Sequence, residues 1–436
     1  MKKGLVVVLV LLAAVILVSP AIVGRMAEQS MDENLNWAAE ESGAVRVTSD
    51  SFERGWFSSE GQHRVEIMDG ELLSAMSTMG MQTDELPVLL INTKLDHGLI
   101  PVSSMGREQG SLAPGLGSAV STLAIESPDG EVFDLPGTIY SKVGLGGELQ
   151  SNYVVGPGSH SDGDMTASWG STNVDIKTDP SSGEAVFKGK IGDLSIDSGN
   201  EGVSLAGITF EGDQKPTEYG FAVGELTFAV EELIVAAPGA PGPMSMAVTA
   251  NTQLDGEAVN ADATVSATMR KLPNVGDMTL DLKMAIEGAD AAAMGRLEQV
   301  INSMDPATQQ DPMAMYGAME GDLKQLFASG FALNFNRFDI TVPQGTITSQ
   351  LLFSFGEEDV STFEWTSLLL NTEATIDLSI PEPIVEMVTA MNPQAAMAIG
   401  GGYLTKEGDA YVLKAEMKGG LLTVNGAPIP LPIGAF

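Results

Sequence analysis

Hydrophobic and polar side chains alternate along this chain in three rhythms, and each predicts a different element. From Gly4 to Gly24 there is hardly any alternation: Leu5 to Val18 carries no polar side chain, and Ala21, Ile22 and Val23 extend the run past Ser19-Pro20. About 20 apolar residues rising ~1.5 Å each match the ~30 Å hydrocarbon layer of a bilayer, which predicts a spanning helix over 1–24. Ser19-Pro20-Ala21 also resembles a small-x-small cleavage site, and the length of the run favours an uncleaved signal anchor over a cleaved signal peptide. Residues 25–42 read as a helical juxtamembrane segment. Lys2 and Lys3 precede the span, and Arg25 is followed by Glu28, Asp32 and Glu33. That bias keeps the N-terminus in the cytoplasm and sends the rest of the chain outside the inner membrane, into the periplasm.

The second rhythm has period two and dominates residues 43–436. Between Asp277 and Glu287 every even position is apolar and every odd one is polar or Ala, the signature of a strand with one dry and one wet face. Leu226, Phe228 and Val230 alternate with Thr227, Ala229 and Glu231; Ile347, Leu351, Phe353 and Phe355 alternate with polar neighbours. In residues 61–69, His63, Val65 and Ile67 share a face opposite Gln62, Arg64 and Glu66. Turn residues recur between such runs, among them Asp255-Gly256, Lys406-Glu407-Gly408 and Asn425-Gly426. The expected fold is mainly β, an elongated antiparallel sheet closed as a sandwich or open as a groove. Residues 236–243, rich in Pro and Gly, fit either a linker or a loop between strands.

The third rhythm has a period of 3.6 and interrupts the second. Met294, Leu297, Val300, Ile301 and Met304 share one helical face; after Asp311-Pro312, Met315, Met319, Leu323, Leu326 and Phe327 form another stripe. These predict a helical hairpin over about 289–329, and Ile384, Met387, Val388 and Met391 predict a short helix over about 383–392. Methionine concentrates here, and unbranched thioethers adapt to irregular contents. Met294, Leu297, Met315, Met319 and Leu323 are therefore candidates to line a hydrophobic ligand site, although packing on the dry face of the sheet explains them as well.

Composition narrows the partners. The 436 residues carry 58 acidic and 22 basic side chains, a net charge of −36, which repels phosphate backbones and makes nucleic acid an unfavourable partner. No cysteine is present, which excludes disulfides and thiolate chemistry. The three histidines, His63, His97 and His160, have no metal-ligand spacing, and no cofactor fingerprint occurs, so neither a metal nor a cofactor is expected.

Three stretches are similar to elements of the YdgA-like family of bacterial envelope proteins, whose function is largely undefined. The first is Arg54-Gly55-Trp56-Phe57-Ser58-Ser59. The second is Asp96-His97-Gly98-Leu99-Ile100-Pro101, with Leu99 where the family usually has proline. The third runs from Gly402-Tyr403-Leu404 through Gly420 to Asn425-Gly426. The resemblance implies an inner-membrane-anchored protein with a periplasmic, mostly β body, and it assigns a role to none of these positions.

Asp96-His97-Gly98 is the sharpest chemical candidate, because a carboxylate beside an imidazole can orient a general base. Neighbours on a strand point to opposite faces, however, so a strand-end role in which both groups satisfy loop backbone is the simpler expectation. A hydrolase centred on Asp96 and His97 requires a serine, or a metal held with His63, within reach of His97. The function expected from these patterns is non-enzymatic, with a lipid or an envelope protein as partner. The alternatives are that hydrolase and a structural or assembly factor in envelope maintenance or motility.

Overall fold

The computed structural model describes residues 45–55, 57–67, 88–97, 115–127, 129–163, 165–199, 202–237, 239–273, 275–304, 312–391 and 401–429. The expected helices over 1–24 and 25–42, and Gly98, lie outside these residues. Among the described residues no helix is long and apolar enough to cross a membrane. The fold is mainly β, with 65% of the described residues in strands, antiparallel pairing and an open sheet in place of a sandwich.

In chain order the strands begin with β1 (Val45–Arg54), β2 (Ser58–Ile67), β3 (Val88–His97), β4 (Gly117–Glu126), β5 (Val132–Asp134), β6 (Thr138–Val143) and β7 (Leu149–Val155). A hairpin of β8 (Gly158–Asp162) and β9 (Met165–Trp169) precedes β10 (Thr172–Asp179), β11 (Glu184–Ile191) and β12 (Leu194–Asp197). Long strands follow: β13 (Gly202–Pro216), β14 (Ala222–Ala236), β15 (Met244–Asp255), β16 (Ala258–Leu272) and β17 (Gly276–Asp290). Two helices, α1 (Ala291–Ser303) and α2 (Pro312–Ala328), then interrupt the sheet. The remainder comprises β18 (Phe331–Val342), β19 (Gly345–Phe355), α3 (Trp365–Asn371), β20 (Thr372–Pro381), α4 (Glu382–Met391), β21 (Thr405–Glu407), β22 (Ala410–Lys418), β23 (Leu421–Val424) and β24 (Ala427–Ile429).

The chain divides into two compact units, Met1–Gly158 with Trp169–Gly192, and Ser159–Ser168 with Asp193–Phe436. In unit 1 the order β1-β2-β3-β4-β6-β7-β10-β11 follows the pairings, with β5 on β4. Leu95, Leu116, Ala119 and Val143 form its apolar core, with Phe52 and Leu149 packed against them. Gly55 joins β1 to β2, where a Cβ would lie 2.7 Å from the Ser58 carbonyl oxygen.

Unit 2 is a meander. Each strand from β12 to β20 pairs with the next, then β20 with β22 and β22 with β23. The Pro/Gly-rich stretch of residues 236–243 is the connection between β14 and β15. The turn after β23 is the expected Asn-Gly pair, with φ of 49° at Asn425 and 78° at Gly426. The Asn425 side chain accepts from Lys414 N at 2.9 Å and donates to the Tyr403 carbonyl at 3.1 Å.

The helical hairpin seats on one end of this sheet. Asp290 caps α1 by accepting from Ala293 N at 2.6 Å, so the helix starts where β17 stops. Leu297, Leu326, Ala291 and Ala293 bury against Val259, Ala289 and Phe221. Gly295 permits this approach, since a Cβ there would stand 2.0 Å from the Tyr219 carbonyl oxygen. Beside it, Phe327 meets Phe355 edge-on at 5.0 Å and Trp365 at 5.8 Å. Trp365 opens α3, a helix that the periodicity did not predict.

Candidate functional site

The first two motif stretches meet in unit 1. Antiparallel register places Ser58 opposite Asp96 and Ser59 opposite Leu95, and His97 N donates to the Phe57 carbonyl at 3.0 Å. His97 stands two residues beyond Leu95, on the same face as Ser59, and its Nε2 shares a hydrogen bond of 3.0 Å with Ser59 Oγ. Asp96 points to the other face, opposite Ser118 as well as Ser58. The structure thus supplies the serine that the hydrolase expectation required and leaves the neighbouring carboxylate on the wrong side for a triad. Ser59, His63, Asp96 and His97 are each 1% exposed.

More buried hydroxyls extend the same face: Thr93 Oγ1 and Ser121 Oγ lie 2.8 Å apart, as do Ser141 Oγ and Ser151 Oγ. Arg54 and Gly55 belong to the end of β1 and its turn, and Phe57 is partly exposed. The opposite face of the sheet carries a cleft of about 1050 Å³, floored by Gln62, Asn92, Lys94, Thr122 and Tyr140. Gln62 donates to Asn92 at 2.8 Å, and Lys94 pairs with Glu60. Neither Ser59 nor His97 lines this cleft. At its margin Arg64 donates to Glu126 at 2.8 Å and to Asp50 at 3.2 Å, the bond to Glu126 doing most to push the guanidinium pKa up.

His160 lies on β8, whereas His63 and His97 lie on β2 and β3. Among the described residues no group of three or more His, Asp or Glu side chains is placed to hold a metal ion.

Unit 2 presents a different surface. Register aligns the apolar positions of successive strands into rows on one face: Phe210, Phe228, Val248, Val265, Leu282 and Phe338 form one, and Ile208, Val230, Met246, Ala267, Leu280 and Ile340 its neighbour. Such a face is buried when a second sheet packs ~10 Å above it. Here it is only half-buried: Leu226 is 41%, Met246 40% and Phe338 38% exposed, and Leu280, Leu282 and Met284 lie outside the buried core. The helical hairpin covers only one end, over Ile286, Val259 and Leu254.

Of the helical positions expected to line a ligand, Leu297 is buried in the core under the hairpin, and Met294, Met319 and Leu323 pack against it. Met315 is half-buried outside that cluster. The open apolar surface lies on the strands instead. Sequence reasoning identified its alternation and left open whether the dry face closes as a sandwich or stays open as a groove. The available signal was proportion, because one helical hairpin cannot cover so many long strands of period two.

Unit 2 is thus a meandering, open antiparallel sheet with a helical hairpin over one end and with its apolar rows otherwise half-exposed. Over residues 1–432 the chain matches the family described as bacterial protein of unknown function (DUF945), and it belongs to that family. No curated protein and no solved structure matches it.

Proposed function

We propose that this is an inner-membrane-anchored, non-enzymatic envelope protein, YdgA-like in kind, whose unit 2 holds lipid acyl chains against its apolar face. Residues 1–24 anchor it, with the N-terminus in the cytoplasm and the body in the periplasm. The half-exposed apolar rows carry the reading. A surface of that size and continuity is a binding surface in a soluble body, because water would otherwise contact it at a cost of about 25 cal/mol per Å². Its occupant is uncharged where it touches the rows, which fits hydrocarbon. Nucleic acid is not a partner on this reading.

The test places a photoreactive residue at Val265 or Leu282 on the apolar face, and at Thr264 or Lys283 on the other, in the full chain within its membrane. Phospholipid-mass adducts confined to the first pair are expected. Adducts equal on both faces, or none, remove the lipid reading, and protein adducts on the apolar face replace it with an envelope partner or assembly role.

The Ser59–His97 contact favours a second reading, a hydrolase with Ser59 as nucleophile. It requires Ser59 to become accessible, and a fluorophosphonate that labels Ser59 in the folded chain would establish it. On the first reading the pair clasps β2 to β3 and remains unlabelled.

A further inference from the structure

We infer that the apolar face of unit 2 is a track, which carries several lipid chains in series and passes them along the sheet. The inference rests on the lipid reading above. One row begins at Leu226 on β14 and runs through Met284, Phe335, Leu351 and Ile376 to Ala415 on β22, beyond which Val424 is buried. Seven strand-to-strand steps of ~4.8 Å make it about 34 Å long. An acyl chain in one leaflet spans half of a ~30 Å hydrocarbon layer, about 15 Å. The row is therefore more than two chain lengths long, and every position in it is apolar.

Three further features fit transport better than storage. The rows are parallel and separated by two residues of strand, about 7 Å, so the two chains of one phospholipid can lie side by side across the strands. Alanines at Ala250 and Ala263 keep the row shallow between larger side chains. The hairpin of α1 and α2 closes the face at one end of the strands, over Ile286 and Val259, and no position of the row belongs to the core it buries. A second copy of this chain is a poor occupant, because each copy carries a net charge of −36 and the two repel.

The experiment uses the full chain in its membrane with photoreactive residues at both Leu226 and Ile376, six strand steps apart. Chains that carry two phospholipid adducts are expected. A second arm introduces Ala263→Glu between the two positions, which sets a carboxylate in the row without removing core volume, with Ala263→Ser as control. The carboxylate should leave adducts at one end and lower those at the other by about tenfold or more, because hydrocarbon does not pass a charge. The same variant should slow transfer of a fluorescent phosphatidylcholine between donor and acceptor vesicles to a similar degree, while Ala263→Ser transfers normally. If chains never carry more than one adduct and Ala263→Glu changes neither end, the track is wrong and a single-lipid holder stands. Absence of lipid adducts at both positions would remove the lipid reading itself.

Discussion

In unit 1 the sheet face that carries Leu95 is covered, yet it holds Ser59, His63, Thr93, Ser121 and His97 among its apolar residues. In unit 2 the face that carries Leu282 is apolar along the rows through Leu226, Phe228 and Val230, yet it stays half-open. Burial and hydrophobicity have come apart in opposite directions. A buried hydroxyl or imidazole is tolerated where a partner meets it, as Ser59 meets His97, and such bonds fix which strand pairs with which. An exposed apolar row contributes little to folding and remains available to a ligand.

The sharpest way to break this contrast is to truncate one leucine from each face. Leu95→Ala should cost about 2 to 5 kcal/mol, because Leu95 is 0% exposed and its loss leaves a cavity. Leu282→Ala should cost about 1 kcal/mol, since water already reaches the side chain. Hydrogen exchange on β3 and β17 in the two variants reads the difference, and equal losses would mean that the unit 2 face is closed.

Gly295→Ala tests the hairpin that covers one end of that face. The new methyl group meets the Tyr219 carbonyl, so a cost of about 1 to 3 kcal/mol is expected, with faster exchange in α1 and unit 1 unaffected. Ser59→Ala takes the hydroxyl from buried His97 and should cost about 1 to 3 kcal/mol, whereas Ser266→Ala on β16 should stay within about 0.5 kcal/mol. Thermal unfolding of both serine variants sharpens the contrast, and similar melting points would show that the Ser59 contact contributes nothing.

The smallest effects belong to surface charges on the hairpin. Arg296 and Asp322 bridge α1 and α2 at 2.5 Å with both side chains partly exposed, so Arg296→Ala should cost less than about 1 kcal/mol. The hydrogen bond from Lys324 holds the Glu320 carboxyl below the usual carboxylate range. Its small contribution is present above that range and is lost as pH falls through the lowered folded value. A carboxyl titration of α2 by NMR should show the depression, and high salt should remove most of it.

Much of unit 2 was legible in the sequence because its strands are long and alternate over much of their length, as Met278 to Ile286 do. The helical stripes at Met294 and Met319 were legible for the same reason at another period. The meeting of Ser59 with His97 was not legible, because it depends on the register between strands joined by a long connection, and local alternation does not encode register. Nor were the buried Thr93, Ser121 and Ser141, since a hydroxyl in a strand reads as a wet position until its cross-strand partner is known. The need for glycine at Gly295 was not legible either, because the Tyr219 carbonyl that requires it belongs to a distant turn.

The meander of unit 2 also bears on how the protein acquires its shape. Each strand from β13 to β20 pairs with the one made just before it, so outside the helical connections before β18 and β20 the loops to be closed are short and the entropy lost at each step is small. A chain delivered from its N-terminal end as a thread can add one hairpin at a time to a growing edge without rearranging what has formed. The helices α1 and α2 emerge only after five long strands are in place, when the surface they cover already exists.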